Sequence, residues 1–275
     1  MDGSRGRIER GGEMKTIAIV NQKGGVGKTT TAVTLGHGMA MGGMRVLVVD
    51  LDPQGNVADA LGIAKRPGTY EMLIGDPTLA PGLSGRPGLE VVPGNKRTVE
   101  AKQILAGMAF REQRLRQALD VYAGVYDVCL LDAAPGVDVL QIGALVACDY
   151  FLIPVALDHL AVVGAADALA STASLLQVGA FRGRCLGVLP TMWERRTKES
   201  QTQLEVLAGQ FRELVWPPVP LDVKAREAPA HGMTLWEYAP VCRALQGAIL
   251  DSGARVGGYV QVLARLVREV GCGQA

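Results

Sequence analysis

Between Lys23 and Thr30 the chain reads Lys-Gly-Gly-Val-Gly-Lys-Thr-Thr, and this segment narrows the possible folds more than any other. Closely spaced glycines let a backbone approach a polyphosphate with its N–H groups turned inward as a nest for anionic oxygens. Gly24, Gly25, Val26 and Gly27 would form that nest, with Thr30 beside it. Lys28 can reach the β- and γ-phosphates, and the Thr29 hydroxyl can coordinate Mg²⁺. A glycine-rich loop alone can be a structural turn. Here Thr16–Asn21 ahead of it reads as an apolar strand and Lys28 onward as a helix, the order that a phosphate site on a helix N-terminus requires. The general pattern wants a glycine five residues before Gly27, but Gln22 stands there, and a second lysine, Lys23, occupies the mouth of the loop.

The rest of the chain alternates in the same way. Thr16–Asn21, Arg45–Asp50, Leu89–Pro93, Tyr126–Asp132, Tyr150–Val155, Cys185–Pro190 and Val215–Val219 read as strands. Most are unbroken Val/Ile/Leu runs, the mark of parallel strands covered on both faces. Helical stretches fall between them at Lys28–Met41, Val99–Leu119, Val139–Ala147, Leu160–Leu176 and Lys198–Leu214. The pattern predicts an α/β fold, a doubly wound and mostly parallel sheet with helices on both faces and ligand chemistry at the carboxyl ends of the strands. Gly/Pro-rich Pro77–Gly88 reads as a surface loop, since the strand rhythm resumes directly after it.

Length and composition set outer bounds. At 275 residues, 48% hydrophobic and 5% aromatic, the chain suits one large α/β domain, expected over 15–275 after a disordered leader at 1–14. A net charge of +1 excludes a molecule that is basic throughout, so any nucleic-acid surface must be a local patch. The five cysteines form no C-x-x-C pair, and Cys129 and Cys185 lie in apolar runs, so reduced thiols in a reducing cytosol are expected. Arg5, Arg7 and Arg10 are not followed by the apolar run of an export signal. Leu160–Phe181 is low in charge but rich in Ala, Gly, Ser and Thr, which suits a helix packed on a sheet better than a bilayer span.

Acids then fall where a nucleotide site needs them. Asp50 and Asp52 close the second strand, and Pro53 and Gly55 turn the chain out into a loop. Asp132 ends the strand Val128–Leu131 in the Walker B manner, where an acid holds Mg²⁺ directly or through water. A single acid at a strand end is commonly a turn residue or helix cap; three, after two strands and beside a phosphate loop, point to a site.

Asn21–Thr31, Val49–Asn56 and Leu130–Pro135, supported by Lys224–Pro229 and Gly232–Pro240, resemble the ParA/MinD group of deviant Walker A ATPases. The resemblance runs from Lys15 to about Pro240 and is nearest to small, Soj-like ParA partition ATPases, which are P-loop NTPases of the SIMIBI-like class. It implies that Lys23 contacts nucleotide across an ATP-sandwich homodimer and that Lys28 and Thr29 serve the phosphates and Mg²⁺ of their own subunit. Asp52 would position or activate the attacking water, and Thr29, Asp52 and Asp132 would be the metal residues. Thr191, Pro220 and Asp222 match the family's adenine-binding segments in position. The implied function is ATP hydrolysis that gates a cytoplasmic dimer, nucleoid-associated in its ATP form. That dimer binds duplex DNA without sequence preference, positions a DNA or protein cargo, and is released by a ParB-like or adaptor partner.

Candidate DNA contacts on charge are Arg195, Arg196 and Lys198 in one cluster and Lys224, Arg226 and Arg243 in another; a charge cluster can equally be a solvated face. Three departures from the family's pattern stand out. The Walker B segment continues Ala-Ala-Pro-Gly, Ile249–Gly258 reads as extra material, and the leader is too short for a helix-turn-helix domain. Two rival functions share this P-loop class. A MinD-like membrane-cycling ATPase needs a lipid-seeking C-terminal helix. Val256, Val260, Leu263, Val267 and Val270 form a stripe there, near Arg255, Arg265 and Arg268, but it suits packing on the sheet better. A CbiA/CobQ-type synthetase normally needs a glutamine-hydrolysing domain with a nucleophilic cysteine, and no cysteine here has such a neighbourhood. No stable membrane insertion is expected.

Overall fold

The apolar runs of the sequence become the centre of one sheet. The computed structural model describes residues 13–76, 79–158, 161–177 and 183–272. Its first half runs β1 (Lys15–Ile19), α1 (Lys28–Met41), β2 (Val46–Asp50), α2 (Asn56–Leu61), α3 (Thr69–Ile74), β3 (Gly82–Arg86), β4 (Leu89–Val92), α4 (Arg97–Ala106), α5 (Arg114–Leu119) and β5 (Val128–Asp132). The second half runs α6 (Val139–Ala147), β6 (Tyr150–Ala156), α7 (Ala161–Gln177), β7 (Arg184–Thr191), α8 (Lys198–Phe211), α9 (Lys224–Ala230), α10 (Leu235–Tyr238), α11 (Arg243–Gln246), β8 (Ala248–Ile249), β9 (Arg255–Val256) and α12 (Gly258–Val270).

Seven strands pair in the order β3-β4-β2-β5-β1-β6-β7, and every pair is parallel except β3 with β4. The two faces separate residue by residue, as the period of two demands. Ile17, Ile19, Val128 and Leu130 point into one core with α1 and α12, while Ala18, Val20, Cys129 and Leu131 point into the other with α5, α6 and α7. The sheet is therefore doubly wound, with β5 at its middle, β1 and β2 on either side of it, and the turns after β1, β2 and β5 sharing one edge.

Three expectations need correction, and a fourth gains a shape. Within Pro77–Gly88, residues Gly82–Arg86 form the antiparallel edge strand β3, whose Gly-rich sequence hides it. Val215–Val219 is no strand of the sheet. It makes bridges at Val215 and Pro220 and backbone bonds from Trp216 and Val219, while Pro217 and Pro218 have no N–H to extend the ladder. The helix expected over Val99–Leu119 is two helices, separated after Gly107 by a turn through Phe110. The Ile249–Gly258 segment is the hairpin β8–β9 leading into α12.

α12 does pack back onto the sheet, through Tyr259, Val262, Leu266 and Val270; Val260 of the expected stripe is exposed. α7 lies within the Leu160–Phe181 stretch, and no helix among the described residues is long and apolar enough to cross a membrane. Met14 sits in the core, and residues 1–12 lie outside the described residues. All five thiols are free.

Candidate nucleotide and magnesium site

The phosphate loop joins the end of β1 to the start of α1, where Gly25 and Gly27 adopt left-handed φ values of 73° and 88° that a side chain would oppose. A Cβ on Gly24 or Gly25 would meet nothing within 4 Å, so the concave side of the loop is open. No side chain caps the N-terminus of α1, which leaves its first N–H groups directed at the loop's mouth, as an anion site requires.

Lys28 is 7% exposed, and its Nζ donates to the Lys23 carbonyl at 2.9 Å, so its ammonium lies across its own loop. Burial lowers its pKa, and the charges of Asp132 and Asp52 oppose that fall. Thr29 Oγ1 donates to Asp132 Oδ2 at 2.7 Å. Asp132 is 1% exposed, and its pKa is pushed up to about 7, chiefly by burial and against the Thr29 bond and the Lys28 charge. Its other oxygen, Oδ1, is buried without a hydrogen-bond partner. Asp50 is fully buried and pushed well above the usual carboxyl range, by burial first and by Asp132 next.

Such a set suits Mg²⁺. An orphaned buried carboxylate oxygen beside a hydroxyl offers one or two protein ligands, and phosphates and water supply the remainder of an octahedron. Among the described residues no three His, Cys, Asp or Glu side chains converge as a metal cage.

The loop carrying Asp52 is fixed from behind. Asp50 accepts from Asp52 N at 2.9 Å and from Val57 N at 3.1 Å, and Asp52 Oδ1 accepts from Gln54 N. Gly94, after β4, packs so closely that a Cβ there would lie 2.1 Å from the Asp52 carbonyl oxygen. The turn after Asp132 is tied in too, since Gly136 N donates to Gln22 O at 3.0 Å. Asp132 and the loop after it are thus held against the P-loop despite the Ala-Ala-Pro-Gly departure.

Lys23 faces outward. Its N–H donates to Asn21 Oδ1, Asn21 Nδ2 donates to Pro154 O, and its ammonium pairs with Asp158 Oδ2 at 2.5 Å, both side chains about two-fifths exposed. Asn21, Gly94 and Asp158 are not among the sequence candidates. Asn21 stands inside a motif, but the contacts of Gly94 and Asp158 depend on strand ends meeting in space.

The adenine candidates come together. Gly27, Thr30, Thr191, Pro220, Asp222 and Arg226 line one cavity of about 70 Å³, and Thr191 Oγ1 donates to Val26 O at 2.9 Å. Both Asp222 oxygens accept backbone N–H groups, from Lys224 and Arg243. The six basic candidates remain in two clusters. Arg195 pairs with Asp251, Lys224 with Glu227, and Arg243 lies 3.9 Å from Asp222; Arg196, Lys198 and Arg226 are exposed.

Comparison with known proteins agrees with this geometry. A family profile described as an AAA domain matches residues 14–178. The chromosome-partitioning ATPase Soj of Thermus thermophilus is 39% identical over 83% of this chain and 90% of its own length. A solved complex of a Cyanothece McdA variant with ATP superposes with a TM-score of 0.79 over 96% of this chain and 99% of that one, at 24% identity, a likeness of fold. A Mycobacterium smegmatis structure named cobyrinic acid a,c-diamide synthase, with ATP analogue and magnesium, is 31% identical with a TM-score of 0.69, over 80% and 91%. The chain belongs to the ParA/Soj family of deviant Walker A P-loop ATPases.

Proposed function

We propose that the protein is an ATPase whose ATP-bound form is a sandwich homodimer that binds duplex DNA without sequence preference. In this reading it positions a DNA or protein cargo, and a cargo-bound partner releases it by stimulating hydrolysis. The observation that carries the reading is the division of labour between two lysines. The ammonium of Lys28 lies over its own loop, while that of Lys23 stands at the surface in an ion pair with Asp158, a half-exposed pair that a second copy's nucleotide would exchange for its phosphates. Val137, in the turn after β5, and Val163, at the start of α7 after β6, are exposed, apolar points at the carboxyl ends of the strands that a second subunit would bury.

Within each subunit the glycine nest and Lys28 would hold the phosphates, and the Thr29 hydroxyl with Asp132 would hold Mg²⁺. Bound Mg²⁺ supplies neutralisation of charge on the β- and γ-phosphate oxygens. Asp52, fixed by Asp50 and Gly94, would orient the attacking water and accept its proton. Thr191 and the Pro220–Asp222 segment would enclose the base.

The membrane-cycling alternative loses its main device, because the buried side of α12 is used in the core. The synthetase alternative, whose name one structural neighbour bears, calls for an activated thiol. Burial instead raises the pKa of all five cysteines here.

Gel retardation tests the proposal. With ATP and Mg²⁺ the protein should retard unrelated duplexes equally, and with ADP it should not. Binding should fall steeply with salt, and Lys224→Ala with Arg226→Ala should weaken it uniformly across sequences. Binding to anionic vesicles without any DNA retardation would contradict the proposal.

A further inference from the structure

α4 buries only Thr98, Ala101 and Leu105. Val99 and Ile104 on α4, and Met108 and Phe110 in the turn after it, face solvent. Phe110 is 71% exposed and holds a left-handed φ of 53°. That conformation is unfavourable for an aromatic residue, and Phe110 gains little burial within the chain in return. Exposed apolar clusters of this kind mark contact with another molecule, and aromatic anchors dominate such contacts.

Charge narrows the choice of partner. From Lys96 to Gln117 the chain carries six basic and two acidic residues, in a molecule whose net charge is +1. Arg97 is paired with Glu71 and Glu100, and Lys102 with Asp138, which leaves Lys96 and Arg111 as the exposed cations flanking the apolar residues along the chain, while Arg116 lines a separate groove with Glu13, Asp120 and Asp149. A lipid surface would need an uninterrupted apolar face, whereas Glu100 and Gln103 stand exposed between Val99 and Ile104. Separate apolar points within a basic frame fit the spaced side chains of a helix.

α4 is also joined to both catalytic loops. At its start, Arg97 N donates to Asn95 Oδ1, next to the Gly94 that packs on Asp52. On its side, Lys102 Nζ pairs at 2.6 Å with Asp138, the N-cap of α6 in the loop that follows Asp132.

We propose that the exposed face of α4, with Met108 and Phe110, docks an acidic, apolar helical segment of a partner protein. Its carboxylates would meet Lys96 and Arg111, and docking alters hydrolysis through α4. The effect on hydrolysis rests on the ATPase reading above; the docking itself does not.

A displayed library of random helix-length peptides, selected on the full-length protein, provides the probe. Phe110→Gly is the control variant, because glycine removes the anchor and tolerates the left-handed backbone, so folding is kept. Selected peptides should be acidic and apolar and should bind wild type about tenfold or more tighter than Phe110→Gly. They should change the ATPase rate of wild type and not of Phe110→Gly, whose basal rate should be unaltered. Selection of neutral or basic peptides, or equal binding to both proteins, overturns the docking surface. So does Phe110-dependent binding to phosphatidylglycerol vesicles with no acidic peptide recovered. Peptide binding without a change in rate overturns the transmission through α4. A wild type that binds the peptides yet hydrolyses no ATP fails the ATPase reading and supports the docking surface.

Discussion

At 1% exposure, between a buried Asp50 and the Asp52 loop, Asp132 has a pKa of about 7 because burial disfavours its charge. A neutral acid cannot hold Mg²⁺, so affinity for Mg²⁺-nucleotide should rise between about pH 6 and pH 8 as Asp132 ionises. Asp132→Asn should bind more weakly and lose that pH dependence, measured by calorimetric titration. The same shift weakens the unliganded fold. Its folded pKa lies above the unfolded value near 3.8, so stability falls as pH rises from about 4 to about 7. Asp52 is exposed to a different test, because Asp50 and Gly94 hold its backbone independently of its carboxylate. Asp52→Ala should bind ATP and dimerise but release phosphate at least roughly tenfold more slowly, as the loss of a general base predicts; loss of nucleotide binding would move Asp52 into the metal shell. Lys23, Lys28, Thr29, Asp52 and Asp132 are legible in the sequence because each sits in a short motif whose spacing is set by a phosphate chain. Asp158 is not, since its contact with Lys23 spans 135 residues and exists only because β6 ends beside the P-loop.

The helices around α1 are held by buried polar contacts rather than by apolar packing alone. His37 Nδ1 bonds Thr234 Oγ1 at 2.7 Å, Trp236 Nε1 donates to the Thr34 carbonyl, and Arg86 of the edge strand pairs with Glu237. Burial lowers the His37 pKa, with Glu237 opposing and Arg86 adding to the fall. The unfolded chain therefore binds the extra proton first, and stability should decline as pH drops below about 6.5. His37→Gln can keep a bond to Thr234 without that proton, so its urea midpoint should fall less than wild type between neutral and mildly acidic pH. Equal losses would show that His37 is not the titrating group. At this scale α1 and the central strands follow directly from apolar runs bounded by glycine and acid. β3 does not, because Gly82 and Gly85 dilute its pattern, and Val215–Val219 misleads because its two prolines are invisible to a hydrophobicity reading. The expected stripe on the last helix is displaced from the observed face, since Tyr259 rather than Val260 turns inward to meet Thr31.

For the whole molecule the question is whether the nucleotide joins two copies. The P-loop end of the sheet gathers the outward-facing Lys23 and the exposed Val137 and Val163, and the opposite charges beside Lys224 and Arg243 keep the α9–α11 basic cluster from being strongly positive in one copy. Two copies side by side would double the exposed charge of Arg226, which is a physical reason for DNA binding to depend on ATP. Multi-angle light scattering of wild type and Lys23→Ala tests the central claim most directly. With ATP, Mg²⁺ and the slowed Asp52→Ala background, the 29.0 kDa chain should double in mass, and with ADP it should not. Adding Lys23→Ala should leave nucleotide binding weakened by at most about 1–2 kcal/mol, since Lys28 and the glycine nest remain, yet hold the protein at 29.0 kDa. A Lys23→Ala protein that still doubles its mass with ATP would contradict the account.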